Sequence, residues 1–321
     1  MIAVVHLVWG PLGARPLREF LDAYRANDAG VDHELVVLLN GVDAQLRAEI
    51  EAELEGVDHR PLALAEPVQD ITAYAQAALR LEHERVCFLN SHSTILAADW
   101  LAKLDSALDE PRAGLVGATG SWASVRSGTL NALFLPNSYR GVIPPRQVAR
   151  EQLIAIELEL GGEQPAEGDP PRRSPLGSVW ATLRTLPPMP EQLLRFESFP
   201  AHHIRTNGFM VERDIFTSLR VGSVRRKMDA YLLESGRRSF TRQVQGRGLR
   251  ALVVGRDGAA YDQQDWPASC TLWQGDQEGL MIADNQTRIY AAGGLDRRRL
   301  LSAFAWGRLA DPRLPAKARS V

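Results

Sequence analysis

The stretch Arg85–Leu101, RVCFLNSHSTILAADWL, decides how the chain is read. Arg85–Leu89 has the length and apolar character of a buried strand, and it stops at Asn90-Ser91-His92-Ser93. A helix is predicted to begin near Asp99. A strand that empties into polar residues before a helix is the repeating unit of an open α/β sheet. Such sheets place their ligands beyond the carboxyl ends of the strands. The NSHS turn is therefore a working site, a decayed one, or only a polar cap on a strand end.

The segments before and after repeat the same unit. IAVVHLVWG is a near-continuous apolar run, as expected for a strand buried on both faces. Leu17, Phe20, Leu21 and Tyr24 then recur at helical spacing. HELVVLLNG is a second buried strand, ended by the turn pair Asn40-Gly41. DAQLRAEIEAELEG is an amphipathic helix closed by Gly56. HRPLALAE reads as a short strand, DITAYAQAALRLEH and DWLAKLDSALDE as helices, and AGLVGATGSW as a strand with a glycine-rich end. This alternation predicts an α/β fold with a mostly parallel central sheet and helices on both faces.

The pattern changes near residue 120. Residues 121–200 carry the proline-rich pieces GVIPPR, PAEGDPPRRSP and RTLPPMPEQ, with AREQLIAIELELGG as the best helix. Long irregular segments of this kind serve as lids or binding loops. Residues 201–260 resume order. HHIRTNGFMVERDIFTSL predicts a strand, a turn at Glu212-Arg213-Asp214 and a helix; KMDAYLLESGRRSFTRQVQGRGLRALVVG predicts two helices and a strand. The remainder, 261–321, is expected to be a C-terminal extension, in which DNQTRIYAAGGLDRRRLLSAFAWG reads as helical and peripheral. The four stretches 1–120, 121–200, 201–260 and 261–321 are expected to form one domain.

Composition narrows the function classes. The chain has 321 residues, 45% hydrophobic and 24% charged, enough for a sizeable core. A formal net charge of -2 offers no whole-chain footprint for nucleic acid. The short basic runs SVRRK and DRRRL read first as solvated helix faces. Cys87 and Cys270 make no disulfide framework, which fits a cytoplasmic protein, and no cysteine–histidine spacing suggests zinc. The apolar N-terminus lacks a basic flank and reads as a first strand, not a signal peptide. No run is long enough to span a bilayer. A peripheral position at a membrane is the second option for location.

Taken in order, these pieces resemble the GT-A fold of nucleotide-sugar-dependent glycosyltransferases, family-2 type. AVVHLVWG stands where such enzymes have their first strand, and LVVLLNGVD where they read the base. The segment from DITAYAQ to VGATGS resembles their central helix–strand–metal-site–helix–strand run. IRTNGFMVERDIFTSL resembles the acceptor-side strand, and MDAYLLESGRRSFTRQVQGRGLRALVVG the helix with the acidic catalytic motif. The likeness covers residues 1–120 and 203–255. It implies a nucleotide-sugar donor, a hydroxyl acceptor on a glycan or lipid-linked substrate of bacterial type, and inversion at the transferred carbon. It says nothing of oligomeric state.

The sequence departs from that pattern at three functional positions. The usual Asp-x-Asp after the third strand reads Asn90 and His92; the aspartate at the end of the second strand is replaced by Leu39-Asn40; the acidic pair reads Glu234-Ser235. Glycosyl transfer needs the leaving diphosphate's charge stabilised and the acceptor's proton removed. For the first, the resemblance implies Mn2+ or Mg2+ at Asn90 and His92. An amide and an imidazole suit a hard cation poorly. The competing reading has Arg205, Arg237 and Arg238 neutralise the diphosphate directly, with Lys227 nearby. For the second, Glu234 is the candidate base and Asp229 the runner-up. Trp9, Asn40 and Asp43 are placed to line a nucleotide pocket, and Asp70 either contacts the nucleotide or caps its helix. Thr206, Asn207 and Gly208 are expected on the acceptor side, where a glycine admits close approach. Asp284-Asn285 reads first as a turn or helix cap, with the cleft as its second option. Trp266 and Trp273 read as core before sugar-stacking. Two other functions stay open: a non-catalytic nucleotide-sugar-binding protein, and a sugar-phosphate nucleotidyltransferase, although WGPLGARP is a poor match to the glycine-rich loop of the latter.

Overall fold

A computed structural model describes residues 1–127, 194–222, 224 and 226–310. The predicted helix AREQLIAIELELGG and the rest of 128–193 lie outside the described residues.

The N-terminal half alternates as expected: β1 (Ile2–Trp9), α1 (Arg15–Ala26), β2 (His33–Asn40), α2 (Ala44–Glu53), β3 (Arg60–Ala63), α3 (Asp70–Ala78), β4 (Arg85–Leu89), the short β5 (Thr94–Ile95), α4 (Trp100–Leu108) and β6 (Ala113–Gly117). After β7 (Gly120–Ser121) come β8 (His203–Ile204), β9 (Gly208–Glu212), α5 (Arg213–Thr217), α6 (Lys227–Ser235), α7 (Phe240–Gln245), β10 (Arg250–Val254) and β11 (Ala260–Tyr261). The chain continues through β12 (Ile282–Ala283), α8 (Asn285–Ala291) and α9 (Leu295–Trp306). The turn expected at Glu212–Asp214 is not formed. Glu212 ends β9 and is itself the cap of α5, so strand passes directly into helix.

Eight strands form one sheet in the order β11-β10-β6-β9-β4-β1-β2-β3. β1, β2, β3 and β4 run parallel, as do β6 and β10; β9 lies antiparallel between β4 and β6, and β11 is an antiparallel edge. The chain moves outward from β1 through β2 to β3, then returns to place β4 on the other side of β1. Strand order reverses there, and the crevice beyond the carboxyl ends of β1 and β4 is the ligand position for such a sheet.

Alternating residues of β1 fill two cores. Ala3, Val5 and Leu7 pack with Tyr74, Phe88 and Phe209, while Val4 and Val8 pack with Leu17, Phe20 and Trp100. Fully burying each such side chain contributes about 1.5–3 kcal/mol. Cys87 lies inside the second core, and burial pushes its thiol up, so it is inert packing. His6 shares that face. Its ring stacks on Phe20 with centroids 3.8 Å apart, it is 0% exposed, and neither ring nitrogen has a hydrogen-bond partner among the described residues.

The C-terminal extension is not peripheral. β12 pairs antiparallel with β5, placing Ile282 opposite Ile95 and Ala283 opposite Thr94. Trp266, Tyr290 and Trp306 are fully buried, and Trp273 is buried as well, so both tryptophans weighed as sugar-stacking are core. The charged run at 296–299 conceals the apolar side of α9, which buries Leu301, Ala305 and Trp306.

Candidate functional site

The crevice edge is built from strand ends. β4 and β9 are antiparallel, so the residue leaving β4 meets the residues entering β9. Leu89 pairs with Gly208, and the Asn90 amide donates to the Asn207 carbonyl at 3.3 Å. Thr206, Asn207 and Asn90–Ser93 thereby meet at the carboxyl end of β4.

The NSHS turn spends most of its polar atoms on itself and its neighbours. Asn90 Oδ1 accepts from the His92 amide at 2.9 Å and lies 3.1 Å from Ser93 Oγ. Ser91 Oγ donates to the Leu7 carbonyl at 2.7 Å and accepts from the Trp9 amide at 3.1 Å, stitching the turn to β1. Ser93 Oγ donates to the Asn207 carbonyl at 2.6 Å. The His92 side chain stays half-buried at the crevice. Burial lowers its pKa, and the charge of Arg288, with that of Lys227, acts in the same direction against Asp284 and Glu19. His92 is accordingly held as a neutral imidazole.

This donor set does not fit Mn2+ or Mg2+ at the position the resemblance implies. The Asn90 oxygen is turned back into an Asx turn, Ser91 is fully engaged, and an imidazole alone is a poor hard-cation ligand. The nearest buried carboxylate, Asp284, is 1% exposed and paired with Arg205 Nη2 at 2.9 Å. Among the described residues no group of three or more His, Cys, Asp or Glu side chains is arranged to hold a metal.

Asp284 also caps α8: its Oδ1 accepts from the Thr287 amide at 2.8 Å, and Thr287 Oγ1 accepts from the Asp284 amide at 2.8 Å. Burial works to raise its pKa, but the Arg205 guanidinium and the Thr287 hydrogen bonds outweigh it and hold the carboxyl below its ordinary value. Four residues on, Arg288 Nη1 donates to Thr94 Oγ1 at 2.9 Å. The extension thus brings a fixed ion pair and a further arginine to the NSHS turn. Sequence reading treated Asp284 as a cap, which it is, and did not single out Arg288.

Glu234 bonds to the residues that lead into β9. Its Oε1 accepts from the Thr206 amide at 3.0 Å, with Thr206 Oγ1 3.4 Å away. Thr206 is therefore the residue that holds the carboxylate. His203, buried beside it, donates Nδ1–H to the Ala201 carbonyl at 2.7 Å; burial lowers its pKa against the opposing charge of Glu234. Asp70 opens α3 and is not its cap, a position held by Gln69. Burial raises the Asp70 carboxyl against the charge of Lys227 and a hydrogen bond from the Ile71 amide, and the charge of Glu234 adds to the rise. Asp70, Lys227 and Glu234 therefore form one electrostatic group.

Other expected site residues are committed elsewhere. Asp229 is the third residue of α6 and closes a capping box on Arg226, accepting from the Arg226 amide at 2.9 Å and pairing with its guanidinium at 3.0 Å, so it is not presented as a base. Asn40 is 0% exposed; its amide donates to the Val68 carbonyl at 2.8 Å and accepts from the Val68 amide at 3.0 Å, pinning the 65–69 loop. Asp43 is an exposed cap of α2, bonded to the Leu46 amide at 2.9 Å. The half-buried Trp9 lies 3.6 Å from where a Gly41 side chain would begin. A Cβ on Gly10 would sit 1.8 Å from the Gly41 carbonyl oxygen, so the tips of β1 and β2 interlock through that glycine. Asn207 is buried, and its Oδ1 accepts from Thr119 Oγ1 at 2.7 Å. Gly208 is covered at 3.4 Å by Ile282 and does not open toward an acceptor. Arg237 and Arg238 are exposed past the end of α6, and among the described residues no bond ties either guanidinium to the crevice.

No family model matches the chain, and no curated protein does. Among solved structures it is similar to S. aureus TarS, solved also with UDP-GlcNAc, at 17% identity and TM-score 0.30 over 36% of this chain and 34% of that one. It is similar to mannosyltransferase PcManGT from Pyrobaculum calidifontis, solved with GDP-Man and Mn2+, at 20% identity and TM-score 0.30 over 36% and 34%. It is also similar to glucosyl-3-phosphoglycerate synthase from Mycobacterium tuberculosis, solved with Mn2+, UDP and phosphoglyceric acid, at 17% identity and TM-score 0.35 over 68% and 58%. The match spans about a third of the length of the first two. Among the described residues no helix is long and apolar enough to cross a membrane.

Proposed function

We propose that this chain transfers a sugar from a nucleotide-sugar donor to a hydroxyl acceptor, with inversion, in the assembly of a bacterial-type glycan or glycolipid. The observation that carries this reading is the Glu234 carboxylate, fixed by the Thr206 amide at 3.0 Å beside the crevice where strand order reverses. Thr206 occupies Oε1, which leaves Oε2 to accept the proton of the acceptor hydroxyl. The acceptor oxygen forms the new bond to the sugar carbon as the bond to the diphosphate breaks. The electron pair leaves with the diphosphate, where basic groups stabilise it. An ionised carboxylate is the form that can accept this proton.

The closed Asn90 turn favours a second reading, in which the chain binds a nucleotide sugar without turning it over. One assay separates the readings: incubation with a panel of nucleotide sugars, following nucleoside diphosphate release with and without candidate glycan acceptors. Release from one donor supports transfer. Turnover that needs pyrophosphate supports a nucleotidyltransferase, and saturable binding with no release supports the second reading.

A further inference from the structure

We propose that the crevice binds the donor's diphosphate without a divalent cation, through Arg288, with the His92 ring as a second hydrogen-bond donor. This rests on the donor assignment above and names the groups that take the charge. The β12–β5 pairing lays residues 282–288 along the chain that leaves the NSHS turn. There Arg288 is exposed, and among the described residues a single bond, from Nη1 to Thr94 Oγ1 at 2.9 Å, fixes its direction. A guanidinium carries five N–H donors in a planar fork, so the others stay available to phosphate oxygens. His92 lies half-buried two residues before Thr94, and burial, with the charge of Arg288, lowers its pKa, so one ring nitrogen is a neutral N–H donor.

Arg205 is already matched by Asp284 and acts as a positioning residue, setting the extension in place. Asp284 is in turn withdrawn from metal ligation. Among the described residues no bond ties Arg237 or Arg238 to the turn, and the role that residue type suggested for them falls to Arg288, which lies 194 positions from Thr94 in sequence.

The test is titration calorimetry on the full chain with inorganic pyrophosphate and with UDP and GDP, in EDTA and then in Mn2+. Binding in EDTA should match binding in Mn2+. Arg288→Gln should weaken pyrophosphate binding at least about tenfold, the loss of a charge-assisted contact. Arg288→Lys should retain part of it, and Arg237→Gln should leave it unchanged. An unchanged melting temperature in each variant shows that the fold persists. Binding that appears only with Mn2+, or an Arg288→Gln variant that binds pyrophosphate like the parent, would overturn the proposal. Because pyrophosphate binding needs no turnover, a chain that binds it through Arg288 yet releases nucleotide from no donor keeps this site and loses only the reaction.

Discussion

His6 gives the most quantitative prediction. It is 0% exposed, stacked on Phe20, and without a partner on either ring nitrogen among the described residues. Burial, aided by the charge of His92, lowers its pKa from 6.5 to about 3. The sign follows from proton counting. Below pH 6.5 the unfolded chain takes up a proton that the folded chain refuses until the pH nears 3. The stability is therefore whole above 6.5 and lost as the pH falls through this window. Linkage puts the loss from this one group at about 2 kcal/mol between pH 7.5 and 5.0, and about 4 kcal/mol by pH 3. His6→Phe keeps an aromatic ring against Phe20 and removes both unpaired nitrogens. Urea unfolding at pH 7.5 and 5.0 should show the parent losing about 2 kcal/mol more than the variant over that interval. The other histidines are common to both proteins and cancel in the difference. Parallel pH dependence in the two proteins would refute the claim that His6 is buried as a neutral, unpartnered ring.

Three further substitutions test the construction of the site. Gly10→Ala drives a methyl group into the Gly41 carbonyl, 1.8 Å away, and should cost about 1–3 kcal/mol or more, read as a fall in melting temperature. Asn40→Leu strips both bonds from the Val68 backbone and should cost about 1–3 kcal/mol in the same measurement, because the orphaned groups are shielded from water. Asp229→Ala opens the capping box of α6 and should cost about 0.5–2 kcal/mol of stability while turnover under saturating donor persists. Loss of turnover with unchanged stability would instead return Asp229 to the catalytic machinery.

The strands were legible because burial on both faces writes itself as unbroken apolar runs. IAVVHLVW and HELVVLLN became β1 and β2 at full length, and Asn40-Gly41 closed the second as a turn pair should. The crevice beyond β1 and β4 was legible for the same reason, since strand ends and strand order determine it. Which side chains face a ligand was not. Asn40, Asp43, Asn90 and Asp229 have the residue types that binding or catalysis uses, yet each spends its polar atoms on nearby backbone groups. Residue type reports what an atom can do, and only the folded chain reports whether it is already engaged. Arg288 and the Asp284–Arg205 pair were hidden by distance along the chain, and no local pattern marks a strand pairing as short as β5 with β12. The charged residues of α9 disguised a buried element as a surface one.

The most direct test of the central claim is donor binding and turnover in Glu234→Gln. The substitution keeps the shape and the acceptor oxygen for the Thr206 amide and removes only the basicity. Titration calorimetry with the turned-over nucleotide sugar should give a dissociation constant close to that of the parent. Acceptor-dependent release of nucleoside diphosphate should fall by about 100- to 10,000-fold. Undiminished turnover in Glu234→Gln, with the donor bound as before, would contradict the assignment of Glu234 as the base.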